Sequence, residues 1–174
     1  MSEPTPPTTQ VLIAVAGGES DAFWRTLLPL LPVNASIELL HVVDEAGRRE
    51  LELQRFRRPG RTGPGWPERR PLPPSIDPLP PDQERRIEQA EAAGEAVILA
   101  SAAAALGREA APVVMRGRPE QQIVARAEAK GAGLLIVAAR PYEAPTPSGP
   151  HSIGHVARFV IDHAPCPVLV LRIG

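Results

Sequence analysis

The stretch that decides the fold is GHVARFVIDHAPCPVLVLRI, residues 154–173. We predict a helix over about 154–163, because Gly154 begins this segment and Pro165 follows its end. The apolar run from Val168 to Ile173 then predicts a strand that is apolar on both faces. A helix followed at once by such a strand is the closing unit of a parallel sheet.

The same alternation continues towards the middle of the chain. LLIVA at 134–138 predicts another strand buried on both faces, and a shorter strand is predicted at Ala111–Met115. Between them a helix is expected from Pro119 to Lys130, capped by Gly131. A longer alanine-rich helix is expected from Pro81–Asp82 to about Leu106, with Gly107 as its C-cap and close packing on the sheet.

The N-terminal part supplies a strand, a helix and a second strand. VLIAV at 11–15 and SIELLHVV at 36–43 are the predicted strands. The helix between them is expected over 21–31, capped by Ser20 or Asp21 and kinked or shortened by Pro29. We therefore predict one α/β domain over 11–174, after a disordered lead-in at 1–10. Its parallel sheet of about five strands would carry helices on both faces.

Composition excludes several classes of function. The chain has 174 residues, a formal net charge of -1 and 3% aromatic residues, which disfavours nucleic-acid partners. Its single cysteine, Cys166, excludes an internal disulfide. No apolar run reaches the roughly 18 residues of a membrane span, and the polar N-terminus lacks a signal peptide. We expect a cytoplasmic protein that binds no membrane.

Three segments resemble a known family. GHVARFVIDHAPCPVLVL at 154–171 resembles the C-terminal signature of universal stress proteins, and GRPE at 117–120 through GAGLLIV at 131–137 and LLHVVD at 39–44 agree with it. The resemblance implies a flavodoxin-like five-stranded sheet in the order 3-2-1-4-5 that often dimerises through its last strand. It also implies an ATP site, with an Asp ending the first strand and a glycine-rich loop before the last helix.

The sequence departs from that ATP site. Ala16 stands at the Asp position, and His155 replaces the Ser or Thr that follows the final loop glycine, Gly154. The first two loop glycines fall on Ala139 and Tyr142 when aligned from the strand side, or on Pro141 and Ala144 from the helix side. Prolines in this loop also lack amide donors. We therefore expect a degenerate ATP site and no bound cofactor. The alternative is a sensor that holds ATP, AMP or another anion at the carboxyl ends of the strands, using Gly17, Val43, Ala139, Gly154 and His155.

Other candidates for chemistry have ordinary structural interpretations. AGGESD at 16–21 is similar to the pyrophosphate loop of ATP pyrophosphatases, but it also fits a glycine-rich turn before a helix. His151 and His155 have metal-ligand spacing without a third ligand nearby in sequence. The remaining candidates are His41, expected inside the sheet, His163, expected in a last helical turn, and Cys166, expected as a small apolar side chain. We predict neither an enzyme nor a metal site.

The segment at about 48–81 is a Pro/Arg-rich insertion. Residues 48–70 hold eight arginines against three glutamates, a local net charge of +5. It is interpreted either as a solvated disordered loop or as an arm that binds a protein partner. The proposed arm residues are Arg55, Phe56, Arg57, Arg58 and Trp66. A homodimer is expected through the edge strand at Val168, Val170 and Arg172. The sequence thus favours a homodimeric regulatory binding module with a degenerate ATP site.

Overall fold

A computed structural model describes residues 8–45, 80–139 and 153–172 of the chain. The first two strands are β1 (Thr9–Val15) and β2 (Ala35–Asp44), joined by α1 (Asp21–Leu27) and a 3-10 turn at Leu28–Leu30. The later elements are α2 (Pro81–Leu106), β3 (Ala110–Gly117), α3 (Pro119–Lys130), β4 (Leu134–Ala138), α4 (His155–His163) and β5 (Val168–Leu171).

The five strands form one parallel sheet in the order β3-β2-β1-β4-β5, which confirms the predicted fold class. β1 is flanked by β2 on one side and by β4 on the other. The chain therefore winds outwards from β1 in both directions. Between the carboxyl ends of β1 and β4 the winding direction reverses, and in open α/β sheets ligands bind at that crevice.

Side chains alternate between the two faces of the sheet and build two separate cores. On one face, Val11, Ile13 and Val15 of β1 pack with the buried side chains of α1 and α2. On the other face, Leu12 packs with side chains from α3 and α4, among them Ile123 and Val160. Because both faces are covered, the runs at 11–15 in β1 and at 134–138 in β4 are apolar throughout, as the sequence predicted.

Several element ends differ from the sequence expectations. β1 begins at Thr9, inside the predicted lead-in, because Thr9 and Gln10 pair with Ala35 and Ser36 of β2. α1 ends at Leu27 and not at residue 31, since Pro29 lies in the tighter 3-10 turn that follows. β5 ends at Leu171 and not at the predicted Ile173, so Arg172, expected within the edge strand, lies one residue beyond it and is exposed.

The long helix α2 packs on the sheet along its C-terminal half only. Leu99, Ala102 and Leu106 are buried in the core that α2 shares with α1. Residues 81–97, by contrast, are exposed or at most half-buried wherever their side chains are described. The predicted close packing therefore applies to the second half of α2. The predicted glycine ends are confirmed, since Gly107 and Gly131 follow α2 and α3 in the left-handed conformation.

The predicted insertion at 48–81 lies almost entirely outside the described residues, which resume at Pro80 with α2. All five proposed arm residues, from Arg55 to Trp66, fall in that part of the chain. No helix in the described ranges is long and apolar enough to cross a membrane.

Candidate functional site

The turn between β1 and α1 is shaped by two glycines. Gly17 and Gly18 have φ values of 92° and 86°, a backbone region that side chains other than glycine rarely adopt. A Cβ atom at Gly17 would also lie 3.1 Å from the Ile98 side chain of α2. The turn is thus held tightly against the long helix, and it directs the following residues back over the end of β1.

Glu19 folds back onto this turn. Its Oε1 atom accepts hydrogen bonds from the backbone N–H of Ala16, at 2.6 Å, and of Gly17, at 3.2 Å. Successive N–H groups that point at one position form an anion-binding concavity. Here the anion is a carboxylate of the same chain. Ala16 and Gly17 were expected near the site from the sequence, whereas no role was expected for Glu19.

Ser20 caps α1. Its Oγ atom accepts a hydrogen bond from the N–H of Phe23 at 3.3 Å, and its backbone oxygen accepts from the same N–H at 2.9 Å. This is the ordinary N-cap arrangement. The AGGESD segment therefore has the geometry of a strand-to-helix turn, the structural alternative to a pyrophosphate loop.

A pocket of about 630 Å³ opens at the carboxyl ends of β1 and β4, next to this turn. Its volume lies within the range of small-molecule sites, about 300–1,000 Å³. Most of its lining is apolar: Ala14, Val15, Phe23, Leu40, Val42, Ile123, Val137, Ala138, Ile153, Val156, Ala157 and Leu171. The ionisable side chains in the described lining are Glu19 and His155.

Four of the five predicted ligand-contacting residues line this pocket: Gly17, Ala139, Gly154 and His155. Val43 does not line it, and the neighbouring Val42 does. The reason is the alternation of side chains along β2, which places Leu40 and Val42 on the face covered by α3 and α4. Val43 belongs to the opposite face, so its side chain does not reach this pocket.

The start of α4 forms one wall of the pocket. Gly154 takes the N-cap position with a φ of 96° and, as a glycine, supplies no side-chain cap of its own. His155 is the first residue of the helix, as predicted, and is exposed at the pocket. The first turn of a helix carries a positive partial charge of about half an elementary charge.

The other candidate histidines and the cysteine have structural roles. His41 is buried, and its Nδ1 atom donates to the carbonyl of Val15 at 3.0 Å, across neighbouring strands. His163 ends α4, where Nδ1 lies 2.9 Å from the Phe159 carbonyl and the two rings stack with centroids 4.0 Å apart. Cys166 is half-buried against the core beneath α3 and α4, and burial raises the pKa of its thiol.

Within the described ranges, no cluster of side chains is suited to hold a metal ion. No three side chains among the described His, Cys, Asp and Glu residues are placed to hold one ion. His151, half of the spacing considered for a metal, lies outside those ranges.

The edge strand β5 exposes backbone groups at particular residues. The carbonyl of Pro167 accepts from Leu135 N–H and that of Leu171 accepts from Ala139 N–H, at 3.0 and 2.8 Å. In a parallel sheet, alternate residues bond to opposite sides. Val168 and Val170 therefore direct their N–H and C=O groups away from β4, towards the outer edge.

A sequence profile of the universal stress protein family matches residues 67–172, more than half of the chain. The chain belongs to the universal stress protein family. This confirms the resemblance seen in the three sequence segments. A comparison with curated protein sequences gives no significant match.

Solved universal stress proteins share the fold. The universal stress protein UspA from Lactobacillus plantarum aligns over 97% of this chain and 100% of its own, with a TM-score of 0.57 and 19% identity. A protein from Archaeoglobus fulgidus covers 94% of this chain and 98% of its own, at TM-score 0.57 and 18% identity. An Arabidopsis thaliana family member with AMP bound covers 95% of this chain and 92% of its own, at TM-score 0.55 and 17% identity.

Proposed function

We propose that this universal stress family member is a non-catalytic binding module whose ligand enters the pocket at the carboxyl ends of β1 and β4. The observation that carries the proposal is the position and lining of that pocket. It is large enough for a small molecule, it lies where the sheet reverses its winding, and its walls are mainly apolar. A flat ring system would bind there by contact with side chains such as Val42, Ile123 and Val137.

Adenine compounds are the first ligands to test. One structurally similar family member, from Arabidopsis thaliana, was solved with AMP bound. In this chain the adenine ring would gain its free energy from burial against apolar side chains. The family's mode of ATP binding is not expected, because Ala16 and His155 replace polar residues of that site.

A nucleotide sensor is the second candidate. The start of α4 favours it, because Gly154 and His155 present the positive end of a helix to the pocket. In this alternative the phosphate of AMP or ATP would lie at α4.

An enzyme is not proposed. Glu19 and His155 are the ionisable side chains in the described lining, and Glu19 is already engaged by two backbone amides. General acid–base catalysis requires groups that can reach the reacting atoms of a substrate. Binding without chemistry therefore fits the pocket better, with no further cofactor.

The module is further proposed to be a cytoplasmic homodimer joined through β5. The outward backbone groups of Val168 and Val170 support strand pairing between two copies, with Arg172 at the end of the interface. Protein-partner binding through Arg55–Arg58 and Trp66 stays a prediction from the sequence alone.

Calorimetric titration with adenosine and with AMP tests the pocket. We expect at least one of them to bind the full chain, and Ala138→Trp to weaken binding by about tenfold or more, because an indole at this exposed lining position fills the site. Ala92→Trp, on the exposed half of α2, is the matched control and should bind like the wild type. Absence of binding by both compounds at millimolar concentration, or equal binding by Ala138→Trp, contradicts the proposal.

A further inference from the structure

Glu19 occupies the part of the pocket rim that is otherwise suited to a phosphate. Resting on the proposed function, we infer that Glu19 is a specificity-determining residue that makes the pocket prefer uncharged ligands to phosphorylated ones. The ligand class assigned to the pocket is accordingly a neutral ring compound, such as a nucleoside, and not a nucleotide.

The first argument is competition for the same donors. The N–H groups of Ala16 and Gly17 converge on Glu19 Oε1, at 2.6 and 3.2 Å. An incoming phosphate would have to displace this carboxylate to use them. Glu19 is only three residues from Ala16, so its effective concentration at the amides far exceeds that of any dissolved ligand.

The second argument is the balance of charge. Glu19 brings a full negative charge to the rim, whereas the start of α4 brings only about half a positive charge. His155 is exposed, so water screens the electrostatic interaction between its imidazole and a bound phosphate. Arg118 immediately precedes the lining residue Pro119 but does not itself line the pocket. A phosphate placed beside Glu19 therefore experiences net repulsion from the described groups.

The third argument is what the remaining lining offers. Away from the rim the pocket is formed by small and branched apolar side chains, including Ala14, Val42, Ile123, Val137 and Ala157. These bind a neutral ring well and do not solvate an anion. A suitable ligand places its ring inside the pocket and an uncharged hydroxyl group near Glu19. This hydroxyl group can donate a hydrogen bond to the carboxylate.

The test compares adenosine with AMP, which differ by one phosphate. Dissociation constants are measured by calorimetry at pH 8, where an ordinary imidazole is uncharged, for the full-length wild type, Glu19→Gln and Glu19→Ala. Glu19→Gln keeps an oxygen acceptor for the two amides and removes the charge, whereas Glu19→Ala also frees the amides. Asp21→Asn is the control, because it changes the net charge equally at a residue outside the pocket lining. Thermal denaturation of each variant verifies folding.

We expect the wild type to bind adenosine about five- to tenfold more tightly than AMP, because one partly screened contact between like charges weakens binding by about that factor. AMP binding should tighten about threefold in Glu19→Gln and about tenfold in Glu19→Ala, because charge-assisted hydrogen bonds become available in the second variant. Adenosine binding should change by less than about twofold in Glu19→Gln, whose side-chain oxygen still accepts from a hydroxyl, and should weaken in Glu19→Ala, which lacks that acceptor.

Two results overturn the inference while leaving the binding proposal intact. One is tighter binding of AMP than of adenosine by the wild type. The other is an AMP-to-adenosine ratio that is the same in both Glu19 variants as in the wild type, or that shifts equally in Asp21→Asn. If neither compound binds any variant, the proposed function fails and the inference fails with it.

Discussion

Arg126 and Glu38 form a two-point ion pair beneath α3. The Arg126 Nε atom lies 2.6 Å from Glu38 Oε1, and Nη2 lies 2.8 Å from Oε2. Lys130 adds a third cationic contact at 3.5 Å, and the Glu38 side chain is only 12% exposed. The pair therefore fixes α3 to β2 from the side opposite the long helix.

The ionisation of Glu38 should make stability depend on pH. Burial opposes the charged form, but hydrogen bonds and charge from Arg126, together with Lys130, outweigh it and hold the pKa of Glu38 below its ordinary value of 4.5. The unfolded chain therefore binds this proton more readily than the folded chain. The stabilisation is present above about pH 4.5, the ordinary carboxyl value, and is lost as the pH falls through the lower pKa of the folded state.

Glu38→Gln should accordingly cost about 1–2 kcal/mol of unfolding free energy at pH 7, and less below pH 4. Urea denaturation across this range measures the difference. Glu95→Gln is the control, because its partner Arg116 is 42% exposed and such pairs contribute little. A cost for Glu38→Gln that does not shrink in acid would contradict the assignment.

Alanine substitutions at two glycines should have opposite effects. Gly17→Ala places a side chain at a φ of 92° and 3.1 Å from Ile98, so we expect a loss of about 1–2 kcal/mol. Gly94→Ala lies within α2, where the new Cβ has no close contact with another described part of the chain, and should gain about 0.5–1 kcal/mol from helix propensity. Chemical denaturation compares the two variants, and a Gly17→Ala protein as stable as the wild type would argue against the strained turn.

Cys166 should react slowly with alkylating agents in the folded protein. Burial raises the pKa of its thiol, which lowers the thiolate fraction at neutral pH, and the thiolate is the reactive form. Iodoacetamide labelling followed by mass spectrometry should proceed severalfold more slowly than in urea-unfolded protein. Rapid labelling under native conditions would instead indicate an activated cysteine and reopen the question of a nucleophile.

Pairing through β5 can be tested at one backbone position. Val170→Pro removes an N–H group that points to the outer edge and leaves the hydrogen bonds to β4 in place. We expect the substitution to convert the proposed dimer to a monomer in sedimentation velocity, while the circular dichroism spectrum keeps its native form. Val170→Thr, which retains the N–H group, should remain dimeric. A dimeric Val170→Pro protein would exclude this edge as the interface.

The sequence predicted the fold well because the relevant signals are local and periodic. Apolar runs predicted the strands, and Gly107 and Gly131 predicted the helix ends. Each of these signals reflects a local preference of the chain that needs no distant partner. The family resemblance gave the strand order. The errors in the strand ends at Thr9 and Leu171 are of two residues, and they arise because the extent of a strand depends on its pairing with the neighbouring strand.

The site was less predictable, because its decisive contact has no sequence period. Glu19 reaches Ala16 and Gly17 only because Gly17 and Gly18 adopt positive φ values, and the comparison of AGGESD with known loops gives Glu19 no role. A carboxylate two and three residues after a Gly-Gly turn is the signal that could have identified it. The half-exposed state of α2 was also missed, since alanine suits a helix surface as well as a packed interface.

The two halves of α2 should differ in their local stability against unfolding. Residues 99–106 are anchored in the core, so their amide protons should exchange only when the whole domain unfolds. The earlier turns, exposed over 81–90 wherever their side chains are described, are held by local helix propensity, which gives isolated helices only marginal stability in water. One continuous helix of 26 residues should therefore show a graded exchange profile, with protection rising from Pro81 towards Leu106.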